Sequence, residues 1–226
     1  MEEMILEINN INKSYNENVI FKDFNMKFYK NKVNCILGKS GCGKSTLLNI
    51  ISGIIKNDSS KFETLEKFGI SYIFQDDRLI DWLTVEENIR LIAKSYYKKH
   101  ELDKEIHKYL SLVGIYDYKN YYPQMLSGGI RQRVNIARGL ICPSNIIIMD
   151  EPFKSIDISN KKIIIDNFND ILKIEKRTVI LVTHDIDEAL YLGDKIFILG
   201  NRPIEIKATL DNSSSINKED ICRYIN

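Results

Sequence analysis

The run Gly38-Lys39-Ser40-Gly41-Cys42-Gly43-Lys44-Ser45 fits the spacing G-x-x-x-x-G-K-[S/T]. Its glycines let the backbone curl until successive amides point inward at phosphate oxygens. Lys44 is then in reach of the β- and γ-phosphates of a nucleotide, and Ser45 is placed to ligate Mg²⁺. Thr46, the next residue, is counted with the loop. A short apolar strand precedes the loop and a helix follows it, whose N-terminal amides add partial positive charge. That frame disfavours a merely glycine-rich turn.

A second constellation lies at Asn145-Ile146-Ile147-Ile148-Met149-Asp150-Glu151-Pro152. The apolar residues fix a strand inside a sheet, and Asp150 emerges at its carboxyl end, suited to hold the Mg²⁺ shell. Glu151 projects differently and is the candidate general base for an attacking water. Alone, the two acids would equally suit a solvated loop; the phosphate loop tips the balance.

Gln75 follows an apolar strand at 70–74, and His184 follows another at 178–183. Ligands of open parallel sheets sit outside the carboxyl ends of the strands. The phosphate loop, Gln75, the Asp150-Glu151 pair and His184 thus share one rim. Gln75 is suited to ligate Mg²⁺ or to orient water, and His184 to donate to the γ-phosphate. Taken singly, a lone Gln is more often a surface residue and a lone His more often a structural one.

At Leu126-Ser127-Gly128-Gly129-Ile130-Arg131-Gln132-Arg133 another helix opens. Ser127 is a good N-cap, and Gly128 and Gly129 leave the amides bare, as an anion-binding end requires. One phosphate loop already serves the chain. This end is therefore an ordinary cap, or it faces a nucleotide held by another copy, which would sandwich ATP between two subunits.

The elements that must hold these residues are legible from periodicity. Strands are expected at 4–11, 24–29, 33–37, 70–74, 145–149, 178–183 and 195–199, with one more short strand after Arg202-Pro203 and then a polar end. Helices are expected at 44–52, 84–98, 102–113, from Ser127, at 159–174 and at 186–192, with stops at Gly53, Gly114 and Gly193. Thr84 with Glu87 forms a capping box, and 57–60 reads as a turn. The alternation is α/β. The stretch of about 76–135 is helical and inserted between strand-bearing halves of one 226-residue domain.

Composition bounds the function. With 44% hydrophobic residues the chain can bury a large core. The 32 basic and 31 acidic side chains leave a net charge of +1, without the basic excess of a nucleic-acid binder. Four cysteines without a CxxC pair suit reduced structural thiols and no metal site. No apolar run approaches the about 20 residues that cross a bilayer. The start Met1-Glu2-Glu3-Met4 is no secretory signal, so the chain is expected in the cytosol.

Over nearly its whole length the chain resembles the ATP-binding cassette family. The order matches Walker A at 38–45, the Q-loop Gln75, the signature Leu126-Ser127-Gly128-Gly129, Walker B at 146–150, the catalytic Glu151, the D-loop Ser155-Ile156-Asp157 and the switch His184. The resemblance implies a P-loop NTPase core with a mostly parallel sheet, a small antiparallel β subdomain and a helical signature subdomain. It implies ATP with Mg²⁺, bound by Ser45, Gln75 and Asp150, and a second cassette subunit, identical or homologous. Tyr15 matches the aromatic that stacks on adenine, although a hairpin or core aromatic fits the same spot. Ser127 and Gly129 would contact the γ-phosphate held by the partner, and Asp157 would touch that partner.

The segment Phe74-Gln75-Asp76-Asp77-Arg78-Leu79-Ile80-Asp81-Trp82-Leu83-Thr84-Val85-Glu86-Glu87-Asn88 is similar to importers of nitrate, aliphatic sulfonates, taurine and related solutes. That likeness implies transmembrane permease subunits, indirectly a solute-binding protein, and a peripheral place on the cytoplasmic side of the membrane. Leu79, Ile80, Trp82 and Leu83 would then either line the permease groove or pack inside the helical subdomain. An exporter subunit and a soluble cassette ATPase are the competing members of the family. Two departures stand out: the stretch between Gly53 and Gln75 is short, and Gly139 occupies a helical position where the family has alanine. The short C-terminus implies no appended regulatory domain.

Overall fold

The computed structural model describes residues 4–59, 65, 69–212 and 216–225. In chain order its elements are β1 (Met4–Tyr15), β2 (Asn18–Tyr29), β3 (Val33–Gly38), α1 (Lys44–Ile51), β4 (Ile70–Ile73), α2 (Val85–Ala93), α3 (Lys99–Leu112), α4 (Gly128–Leu140), β5 (Ile146–Asp150), α5 (Ile158–Glu175), β6 (Thr178–Thr183), α6 (Ile186–Leu192), β7 (Lys195–Gly200), β8 (Glu205–Asp211) and α7 (Lys218–Ile225). They fall into two compact units, Met1–Ile70 with Arg177–Asn226, and Ser71–Lys176.

In the first unit the strand order is β6-β3-β7-β8. β3 runs parallel to β6 and to β7, and β8 closes the edge antiparallel to β7. Every residue of β3 and β6 is buried. Continuous apolar runs of this kind belong to parallel strands covered on both faces. β8 is mostly half-exposed and carries Glu205, Lys207 and Asp211, the charges of a guarded edge. β1 and β2 form a separate antiparallel hairpin whose register shifts at several points. Phe28 of β2 meets Phe197 of β7 edge-on, with centroids 6.3 Å apart.

One buried polar residue ties this unit together. Asn34 of β3 donates to the carbonyls of Tyr29, Lys32 and Val179 at 2.9, 3.1 and 3.2 Å. Its Oδ1 accepts from the Tyr29 amide at 2.8 Å. A fully satisfied buried amide fixes one register, because a slipped strand would leave it unpaired.

In the second unit β4 and β5 are neighbours, and helices α2 to α5 surround them in sequence. The Thr84 hydroxyl accepts from the Glu87 amide while the Glu87 carboxylate accepts from the Thr84 amide, so the expected capping box starts α2. α5 lies against α3: Asn167 Nδ2 donates to the Leu112 carbonyl at 2.7 Å, and the Tyr109 hydroxyl to Glu175 Oε1 at 3.2 Å. Among the described residues no helix is long and apolar enough to cross a membrane.

Several boundaries correct the sequence reading. The first two strands run to Tyr15 and from Asn18, meeting in a tight hairpin at Asn16-Glu17, with Asn16 in the left-handed region at φ +53°. α2 ends at Ala93 rather than near Lys98, and α3 begins at Lys99. Tyr97, between them, leaves the helical pattern to donate its hydroxyl to the Ile141 carbonyl at 2.9 Å. The polar end holds the eight-residue helix α7, anchored by fully buried Ile221 and by Lys218 on Asp187. Position 60 of the expected turn at 57–60 lies outside the described residues.

Candidate functional site

The phosphate loop leaves the carboxyl end of β3. Gly38 is the last strand residue, Lys39, Ser40 and Gly41 are exposed, Cys42 and Gly43 are half-buried, and Lys44 starts α1. Ser45 and Thr46 stand half-buried in the first turn of that helix. Gly41 and Gly43 sit at φ +74° and +120°, which L side chains rarely adopt. A Cβ on Gly43 would also stand 2.5 Å from Ile204 Cδ1 and 2.8 Å from Ile20 Cγ2. The loop thus rests on a floor made by Ile20 of β2 and by Ile204, which just precedes β8.

Lys44 is buried at 4% exposure. Its ammonium donates to the Gly38 carbonyl at 2.7 Å and the Lys39 carbonyl at 3.0 Å. An ammonium has three N–H donors, so this leaves one for an anionic ligand within the curl. The Arg202 guanidinium, in the turn between β7 and β8, donates to the Gly41 carbonyl from outside the loop. Neither Arg202 nor the two isoleucines carries a sequence signal, because each is a lone residue far from the motif.

β3 and β6 are parallel neighbours with Leu37 opposite Thr183. Gly38 and His184 therefore leave adjacent strands at the same end. His184 is exposed there. Thr183 donates its hydroxyl to Glu188 at 2.6 Å and accepts from the Asp185 amide at 3.0 Å, which fixes the turn carrying His184. Tyr15 is the last residue of β1, 46% exposed at the hairpin tip, with the Lys13 ammonium 5.6 Å from its ring centroid. It stands at the hairpin tip with nearly half its surface exposed.

In the second unit Asp150 ends β5 at 6% exposure, and Glu151 follows at 8%. Glu151 is held at φ +45°, a conformation that costs a non-glycine residue roughly 1–2 kcal/mol and that tends to cluster at functional positions. The Lys154 ammonium lies 3.2 Å from its Oε2. Gln75, just past β4, is exposed. Ser127 caps α4, accepting from the Ile130 amide at 3.4 Å. Gly128 stands in open space, whereas a Cβ on Gly129 would press to 2.9 Å from the Ser155 carbonyl. Asp157 caps α5 by accepting from the Asn160 amide at 3.0 Å, and it pairs with Arg133 at 3.3 Å. The cap and the Asn160 and Ser159 side chains hold the Asp157 carboxyl well below the usual carboxylate range.

Consecutive residues of α4 reach different segments. Arg131 takes Asp77, Gln132 takes the Pro152 carbonyl, and Arg133 takes Asp157. Sequence reasoning missed these ties, since nothing local marks contacts 54, 20 and 24 positions away. Leu79, Ile80 and Leu83 are half-buried while Trp82 is 79% exposed. Asn88 ties this turn, accepting from the Ile80 amide and donating to the Ile80, Leu83 and Thr84 carbonyls.

No cluster of three or more His, Cys, Asp or Glu side chains is poised for a metal among the described residues. The Ser45 hydroxyl and Asp150 carboxylate are hard oxygen donors of the kind Mg²⁺ takes, and Mg²⁺ completes its shell with phosphate oxygens and water. The donor chemistry fits an ion that arrives with its nucleotide.

A family model described as ABC transporter matches residues 21–154. Aliphatic sulfonates import ATP-binding protein SsuB 1 of Pseudomonas savastanoi pv. phaseolicola is 34% identical over 203 residues, covering 90% of this chain and 84% of its own. The SsuB protein of Bacillus subtilis is 37% identical over 199 residues, covering 84% and 76%. A dimeric ATP-binding cassette solved in a post-hydrolysis state with ADP and phosphate matches with TM-score 0.82 and 28% identity, over 92% of this chain and 99% of that one. Matched by this family model over more than half its length and by these relatives over most of it, the chain belongs to the ABC transporter family, as one of its ATPase cassettes.

Proposed function

We propose that the chain is the ATP-hydrolysing subunit of an importer for a small solute of the nitrate, aliphatic sulfonate or taurine kind. Two cassettes work as a dimer on the cytoplasmic face of the membrane, bound to separate permease subunits and served by a solute-binding protein. The names and coverage of the relatives support the importer class. The exposed Trp82 beside the Asn88-tied turn supports a permease-facing surface there.

Hydrolysis is carried by one observation above the rest: the parallel register of Leu37 with Thr183 sends the phosphate loop and His184 out of the same end of adjacent strands. In this reading Tyr15 stacks on adenine. The amides of 38–45, with Lys44 and Thr46, hold the phosphates. Ser45, Gln75 and Asp150 hold Mg²⁺, which when bound neutralises charge on the phosphate oxygens. Glu151 takes a proton from the attacking water as its oxygen bonds to the γ-phosphorus. The bond to the bridging oxygen breaks, and its electron pair leaves with ADP. His184 donates to the γ-phosphate. Ser127, Gly128 and Gly129 of the second copy meet the same phosphate from the far side, and Asp157 touches that copy.

The test is MgATP turnover by the purified chain and its Glu151→Gln variant. Glu151→Gln is expected to lose activity by about 10²–10⁴-fold and to accumulate ATP-bound dimers on size exclusion. Fast turnover by that variant removes Glu151 from the role. Uptake of a labelled alkanesulfonate into vesicles carrying the cassette with its permease tests the solute class, with taurine and nitrate as competitors. Retained hydrolysis without uptake of any of the three overturns the solute assignment alone.

A further inference from the structure

The segment on either side of Gln75, from Phe74 to Arg78, lies along α4 and is gripped at three points, two of them after Gln75. Arg131 Nε donates to Asp77 Oδ2 at 2.8 Å and its Nη2 to Oδ1 at 3.1 Å. Asn135 Nδ2 donates to the Phe74 carbonyl at 2.8 Å. Arg138 donates to the carbonyls of Asp77 and Arg78 at 2.7 and 2.8 Å. Positions 131, 135 and 138 form one stripe of the helix, at the spacing that puts side chains on a single face.

The gripped segment is itself rigid. Asp77 Oδ1 also accepts from the Leu79 amide at 3.2 Å. Arg78 is turned into the left-handed region at φ +47°, and its guanidinium lies 3.7 Å over the Phe74 ring, which stacks on Tyr72 at 4.0 Å. Of the three grips, Arg131 is nearest the helix tip: its amide donates to the Ser127 carbonyl at 3.0 Å. A forked guanidinium on both carboxylate oxygens fixes orientation as well as distance, which a lysine cannot do.

We propose that the Asp77–Arg131 pair is a positioning contact that locks the segment after Gln75 to the helix tip at Ser127, Gly128 and Gly129, so that a displacement of the Leu79–Trp82 turn moves that tip with it. The proposal rests on the hydrolysis reading above. Asp77 and Arg131 keep 21% and 30% of their side-chain surface, and part-exposed pairs contribute little to global stability. The pair therefore acts on geometry, and its loss separates turnover from folding.

The test compares the purified chain with Asp77→Asn, Arg131→Lys and Asp77→Glu. For the first two, exchange of the amides of 131–134, the first in α4 to donate to carbonyls of the 127–130 tip, is expected to rise several-fold. MgATP turnover falls about tenfold, nucleotide affinity stays within about twofold, and the melting temperature stays within about 2 °C. Asp77→Glu, which keeps the carboxylate, recovers most of the turnover. Unchanged exchange at 131–134 overturns the proposal. So does a fall of more than about 5 °C in melting temperature that Asp77→Glu does not relieve, since that marks a folding contact. The exchange measurement needs no turnover, so a chain that failed to hydrolyse ATP would sink the hydrolysis reading and leave this tie decided on its own.

Discussion

Gln132 Nε2, buried in α4, donates to the carbonyl oxygen of Pro152 at 2.9 Å. Proline has no amide hydrogen, so this carbonyl is the residue's one backbone polar group. Replacing Gln132 by leucine keeps the volume and leaves a buried acceptor unmet, at a cost of about 1–3 kcal/mol. Urea unfolding of Gln132→Leu should show that loss. A midpoint equal to wild type would mean the carbonyl finds another donor.

Gly139 has a steric reason. A Cβ there would stand 2.3 Å from Ile73 Cγ1 and 2.8 Å from its Cδ1. Alanine gains about 1 kcal/mol of helix propensity, yet the overlap forces a shift worth about 1–3 kcal/mol. Gly139→Ala is expected to destabilise on its own. Combined with Ile73→Ala, the pair should cost less than the sum of the single variants. Strict additivity in thermal unfolding would refute the steric account.

The signature glycines should part company. Gly128→Ala meets open space and should hold or raise stability by up to about 1 kcal/mol. Gly129→Ala meets the Ser155 carbonyl at 2.9 Å, so it should lower stability and loosen 155–157 in hydrogen exchange. Equal melting temperatures for the two variants would contradict the close approach.

Acid should act through Asp77. Its hydrogen bond with Arg131, then the Leu79 amide and the Arg131 and Arg138 charges, hold the carboxyl below its ordinary value against a desolvation that raises it. A lowered folded value means the stabilisation is complete above the unfolded value of about 3.9 and is lost as pH falls through the lower folded value. The stability gap between wild type and Asp77→Asn should be flat from pH 7 to about 5 and close at lower pH. A gap that widened on acidification would reverse the sign and exclude the pairing.

The strands and helices legible in the sequence are those with hard stops. β6 and α6 occur where the sequence places them: one is the apolar run Val179–Val182 between two threonines, and the other opens on Asp185, which accepts from the Asp187 and Glu188 amides. β2 was read six residues short because its burial pattern is doubled at Ile20-Phe21, beside register shifts in the hairpin, and strict alternation fails there. α7 was missed because it is eight residues long, about two turns, and Ile221 is its one fully buried side chain. The phosphate loop was visible as a contiguous motif. The Ile20, Ile204 and Arg202 support beneath it, and the grips along α4, come from residues that only the tertiary fold gathers.

Burying an ammonium without partners costs several kcal/mol, but that of Lys44 meets two carbonyls of its own loop. The loop thereby solvates its own cation: the backbone that curls to meet phosphate also supplies the poles that face the ammonium.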